Sequence, residues 1–147
     1  MLNKNYGFTL LELLIVIIII SISLSIIIPR ISTNDRKVLM SYGRMVVNFL
    51  KFAKYQSLFK RSEVEIKINT KEKKFVLSNT KNKLKIKDKT IDIKLFTPDK
   101  GNSIYFFPSG TSTPFSVYLI KGKDSIKITF DSVNGTFVIR DEKPPED

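Results

Sequence analysis

The sequence predicts an α+β chain: a long N-terminal helix, apolar in its first half and amphipathic in its second, packed against an antiparallel β-rich C-terminal head. Three observations predict it. An almost unbroken apolar run extends from Leu13 to Ile28. Apolar residues then recur at three- and four-residue intervals to about Phe59, and beyond residue 62 the period shortens to strict alternation.

The 147 residues leave room for one modest domain beside the N-terminal segment. Hydrophobic content of 42% is ordinary for a folded chain but unevenly spread, with much of the isoleucine ahead of residue 32. The formal charge of +11 comes nearly all from lysine. Such a balance suits nucleic acid, anionic lipid or an acidic partner, but the lysines are dispersed, as solubilising residues on outward faces are. There is no cysteine and no histidine, which excludes disulfides, thiolate metal sites, cysteine nucleophiles and imidazole acid–base chemistry. The carboxylates Glu63, Glu65, Asp92, Asp99, Asp124 and Asp131 are scattered, and no spacing proposes a nucleophile, a metal cage or a phosphate loop. The chain is not expected to be an enzyme or to carry a cofactor or metal.

The first element is the apolar helix. Phe8 to Ile28 would rise about 31 Å, close to the roughly 30 Å hydrocarbon core of a bilayer. Glu12 is its one charge. Ser21, Ser23 and Ser25 are tolerable because a helical serine can return its hydroxyl to a backbone carbonyl one turn back. A cleaved secretory signal is the competing reading, but a carboxylate inside the apolar core disfavours it, as does the continuation through Ile26, Ile27 and Ile28. Lys4 before the run and Arg30, Arg36 and Lys37 after it leave the orientation undecided by charge.

Lys4 to Glu12, a short basic leader ending in Gly7 and followed by Phe8-Thr9-Leu10-Leu11-Glu12, resembles the class III signal of type IV pilins and pseudopilins. The resemblance implies a leader over residues 1–7, cleaved after Gly7 by a prepilin peptidase on the cytoplasmic face of the inner membrane. It implies that Phe8 becomes an N-methylated first residue and that residues 8–29 form a transmembrane and assembly helix. Pro29 lies where many such proteins carry a helix-kinking proline, and a proline there removes an amide hydrogen and opens the preceding turn. The physical reading agrees. A carboxylate in lipid is costly alone and marks a functional site. In a staggered bundle, Glu12 of one subunit could pair with the Phe8 amine of its neighbour, which makes both burials tolerable and sets axial register.

An amphipathic helix is expected over residues 30–62, entered through the cap-type residues Ser32, Thr33, Asn34 and Asp35. Val38, Tyr42, Met45, Val46, Phe49, Phe52, Ala53 and Phe59 form its predicted buried stripe, with Arg44, Lys51, Lys54 and Lys60 largely on other faces. The head, 63–147, should hold six to eight short strands around Val64–Ile68, Phe75–Leu77, Leu84–Ile86, Ile91–Leu95, Ile104–Phe107, Val117–Ile120, Ile126–Phe130 and Thr136–Ile139. Lys121-Gly122-Lys123-Asp124 and Asn134-Gly135 predict hairpins between the last three. The alternating Lys83-Leu84-Lys85-Ile86-Lys87 can be read as a basic strand suited to nucleic acid or as a sheet with one face in water, and the second is the expectation.

Ala53-Lys54, Lys60 to Val64, Ile104 to Thr111 and Ile126 to Phe130 with Asn134-Gly135 are together similar to the H-type minor pseudopilins of type II secretion and their type IV pilus relatives. The Phe-x-Pro-x-Gly element of that group is represented by Phe106, Pro108 and Gly110. The resemblance implies a structural subunit of a pseudopilus or pilus serving protein secretion, with its head outside the inner membrane. Its implied partners are the prepilin peptidase, other pilin subunits, the membrane and secreted cargo. A DNA-binding minor pilin for natural transformation is the alternative. DNA-capturing relatives carry arginines directly after the glycine of the last hairpin, whereas here Thr136, Phe137 and Val138 follow Gly135, with Arg140 nearby. The acidic, proline-containing tail from Asp141 to Asp147 would repel phosphate, so DNA is not supported as a partner at that site.

Overall fold

The computed structural model describes residues 10–31, 34–78 and 80–145, with side chains 23–31 and 34 outside the description. The chain divides into two compact units, Met1–Asn34 and Asp35–Asp147.

In the first unit, helix α1 runs Leu10–Ile31. Pro29 falls within its bounds. Among the described side chains, Ser21 Oγ donates to Ile17 O at 2.8 Å, the one-turn return expected of a serine in an apolar helix. Described side chains from Leu10 to Ile22 cover about 20 Å of rise. No helix is long and apolar enough to cross a membrane among the described residues. The expected span of 8–29 begins two residues ahead of them, and its side chains beyond Ile22 lie outside the description.

The second unit opens with helix α2, Asn34–Lys60. Asp35 in its first turn and Lys60 in its last both complement the helix dipole. Arg61, in the left-handed region at φ 50°, ends it. Eight strands follow: β1 Val64–Asn69, β2 Lys74–Leu77, β3 Lys83–Lys85, β4 Asp92–Phe96, β5 Ser103–Phe106, β6 Ser116–Lys121, β7 Asp124–Asp131 and β8 Thr136–Asp141. They form two four-stranded antiparallel sheets, in the orders β3-β2-β1-β5 and β4-β6-β7-β8. All eight alternating runs in the sequence are strands or overlap one.

Alternation sets the inner faces. Val64, Ile66 and Ile68 of β1 are buried between outward Glu65, Lys67 and Asn69, and Phe75 and Leu77 of β2 are buried beside them. Both sheets pack on α2. Phe49 meets Phe75 edge-on at 6.5 Å, while Gly43 sits against Ile126 and Ile139 of the second sheet. A cluster of Phe106, Phe115, Phe130 and Phe137 closes the end between the sheets, with centroid separations of 5.0–6.4 Å between contacting rings.

The buried stripe of α2 is Leu39, Gly43, Val46, Val47, Leu50, Ala53 and Ser57. Its phase lies one residue, about 100°, from the expected one. Val46 and Ala53 are buried as expected, and Val38, Tyr42 and Phe49 lie half-buried at its edge. Met45, Phe52 and Phe59 are exposed instead. The reason is steric: the sheets approach α2 closely along its small residues, and an added Cβ on Gly43 would lie 2.6 Å from Ile126 Cδ1. Lys54, expected on a solvent face, is half-buried.

Candidate processing and assembly segment

Gly7 and Phe8, the residues of the expected processing site, lie outside the described residues. Glu12 stands in the first turn of α1 and is exposed. The structure therefore puts Glu12 on the surface of the apolar helix, where another chain could reach it. Pro29 lies inside α1, with its side chain outside the description.

The surroundings of Glu12 are unusual for a protein surface. Leu10, Leu11, Leu13, Leu14, every residue from Ile15 to Ile20, and Ile22 are 43–86% exposed. A helix apolar on all sides and uncovered by its own chain belongs in lipid or among other helices.

A second exposed apolar face lies on α2 of the head. Met45, Phe52, Tyr55, Leu58 and Phe59 are 38–88% exposed on the side turned away from the sheets. Sequence reasoning assigned three of them to the core, because large aromatics at helical spacing ordinarily face inward. The signal that could have relocated them is the run Gly43, Ala53 and Ser57, whose small side chains suit close sheet contact.

The turn at Phe106, Pro108 and Gly110 is held against the C-terminal half of α2. Ser57 Oγ lies 2.7 Å from Lys54 O and 3.1 Å from Phe107 O, so one buried hydroxyl proton is shared between helix and turn. Gly110 takes φ 83° and donates its amide to Phe107 O, and an added Cβ would lie 3.6 Å from Leu58 Cδ2. The last hairpin is tied to the same helix by Lys54, whose Nζ donates to Gly135 O at 2.8 Å and lies 5.0 Å from the centre of the Phe130 ring. The residues of the second resemblance thus converge on one end of the head.

Near the N-terminus of α2, Lys121 of β6 bridges two carboxylates, Asp35 at 3.3 Å and Asp88 at 3.1 Å. Hydrogen bonds from the Thr90 hydroxyl and amide, joined by Lys121, hold Asp88 down to about 2. The Asp88 contact holds Lys121 above the usual lysine value. Glu142 is lowered chiefly by Lys127, and Asp131 by Asn134. These are structural clamps. Among the described residues, no group of three or more acidic side chains could hold a metal ion.

The model of the prokaryotic N-terminal methylation motif matches residues 2–28. No curated protein matches the chain. Among solved structures, the chain is similar to the minor pseudopilin EpsH from the type 2 secretion system of Vibrio cholerae. One EpsH structure gives a TM-score of 0.58 at 10% identity, covering 70% of this chain and 96% of that one. A second gives 0.57 at 9% identity, covering 74% and 96%. The type IV minor pilin FimU of Pseudomonas aeruginosa gives 0.56 at 16% identity, covering 74% and 91%. At these identities the likeness is one of fold.

Proposed function

We propose that this type IV pilin-like chain, with its N-terminal methylation motif and minor-pseudopilin fold, is a minor structural subunit of a type II secretion pseudopilus or a type IV pilus. The observation that carries the reading is the uncovered apolar helix with Glu12 in its first turn. Such a helix needs surroundings that its own chain does not supply: the inner membrane before assembly and neighbouring helices after it.

The leader 1–7 is removed by hydrolysis of the bond after Gly7, which frees the Phe8 amine, and that amine is then methylated in a separate transfer from a methyl donor. Residues 8–29 anchor the subunit in the inner membrane, and residues 30–147 project outside it. Glu12 then pairs with the Phe8 amine of a neighbour, since each charge is costly in an apolar bundle without the other. The exposed face from Met45 to Phe59 supports the same reading, as the head also carries apolar side chains that its own chain leaves uncovered. The head contacts neighbouring subunits or secreted cargo. The role is structural, with no catalytic residue, cofactor or metal.

Co-expression with a prepilin peptidase tests the reading. The chain should shorten by the leader, and Gly7→Ala should leave the full-length precursor. Normal trimming of Gly7→Ala, or no trimming of the parent, would refute it.

A further inference from the structure

One cleft on the head sets an apolar wall against two lysines. It encloses about 480 Å³ between the first turns of α2 and the end of β3 with the residues that follow it. Val38, Tyr42 and Met45 of α2 form the apolar wall, and Ser41 adds a hydroxyl. Lys85, Lys87 and Asp88 complete the lining. Ile86 is buried on the inner side of its stretch, so Lys85 and Lys87 on either side of it stand exposed.

Among the described residues, no ion pair engages Lys85 or Lys87. The carboxylate in the lining is already committed. Asp88 accepts from the Thr90 amide and hydroxyl at 2.9 and 2.6 Å, and from Lys121 at 3.1 Å. Lys37, exposed and one turn ahead of Ser41 on α2, adds a third cation beside the cleft. The cleft thus lacks a counter-charge for its lysines and a cover for its apolar wall.

We propose that this cleft binds an anionic phospholipid of the bilayer that holds α1, an inference that rests on the membrane role proposed above for that helix. The lipid phosphate lies against Lys85 and Lys87, and the glycerol and upper acyl carbons lie against Val38, Tyr42 and Met45. A wholly polar anion would leave the apolar wall unmet. An uncharged apolar partner would desolvate two lysines without a counter-charge. An acidic peptide could answer the charge, but the length of the chain favours lipid. α2 begins three residues after α1 ends. At about 3.6 Å for each extended residue and about 1.5 Å for each helical one, Val38 is tethered within about 17 Å of Ile31. Head groups add about 5–8 Å beyond the hydrocarbon on each side, so the tether confines the cleft to the neighbourhood of the membrane surface.

The test places the full chain in vesicles carrying a photoactivatable phosphatidylglycerol, or a zwitterionic phosphatidylcholine with the same photoactivatable chain, and maps the adducts by mass spectrometry. Adducts on α1 report insertion, and adducts on residues 38–45 and 85–87 report the cleft. The anionic lipid should label the cleft at least about 5-fold more than the zwitterionic one. Lys85→Gln and Lys87→Gln combined should lower cleft labelling by the anionic lipid about 10–30-fold, from about fivefold for each lysine, and leave α1 labelling unchanged. Lys51→Gln and Lys60→Gln combined, an equal charge change at exposed positions elsewhere on α2, should stay within about 2-fold. Cleft labelling equal for both lipids, or equally reduced in both double variants, would overturn the proposal and leave the membrane role of α1 standing. So would a cleft that neither lipid labels, as when a second copy covers it with its acidic tail. Absence of adducts on α1 would remove the membrane role, and this proposal with it.

Discussion

Lys54 reaches from α2 to the carbonyl of Gly135 at 2.8 Å, fastening the last hairpin to the helix. The same ammonium stands over the Phe130 ring, so Lys54→Met keeps the aliphatic stem but removes a hydrogen bond and a cation–π contact. The expected cost is about 1–2 kcal/mol, measured as a lower urea midpoint of the head.

Gly43 is the point of closest approach between α2 and β7. Gly43→Leu would force side-chain volume into Ile126, which is fully buried, and should destabilise the head by about 1–3 kcal/mol. Thermal denaturation reads the change directly.

The exposed face of α2 predicts the opposite division. Phe52→Glu and Phe59→Glu should each leave head stability within about 0.5 kcal/mol, because neither side chain is buried. Both should reduce recovery of the subunit in sheared filaments. Unchanged recovery would separate this face from assembly.

Glu12→Gln should permit insertion and cleavage yet impair incorporation, since the amide keeps the shape and loses the charge that would answer a neighbour's amine. Filament yield measured beside cleavage distinguishes the two steps.

Acid should loosen the clamp at the start of α2. Asp88 is held down to about 2 from an ordinary 3.8 by Thr90 and Lys121, so its stabilisation is present above 3.8 and lost as pH falls toward 2. Lys121 is raised, so its share is present below 10.5 and lost as pH rises beyond that. Asp88→Asn should lower the urea midpoint at pH 7 and flatten its fall between pH 4 and pH 2.

Much of the fold was legible because both periods in the sequence are strong. The alternation that buries Ile66 and Ile68 and exposes Lys67 is local, and no tertiary contact was needed to find it. The phase of α2 was not, because Gly43, Ala53 and Ser57 have little apolar weight, and only the nearby sheets show why they face inward. Strand partners were equally hidden. Lys74 and Lys85 are separated by a turn whose register is a tertiary outcome, so an apparent solvent-facing pattern concealed a like-charge pair. At the N-terminus the position was reversed: the methylation motif over residues 2–28 is a linear signal, legible without any tertiary contact.

The order of the strands has a consequence for how the head comes apart. β4 leaves the first half of the head to border β6, and β5 returns to border β1, so each sheet borrows a strand from the other's stretch of chain. The chain thus passes between the sheets three times, from β3 to β4, β4 to β5 and β5 to β6, and α2 lies against both. Amide exchange of deeply buried Ile66 in one sheet and Ile128 in the other should therefore report a single shared opening. A head connected this way is expected to open as one cooperative body.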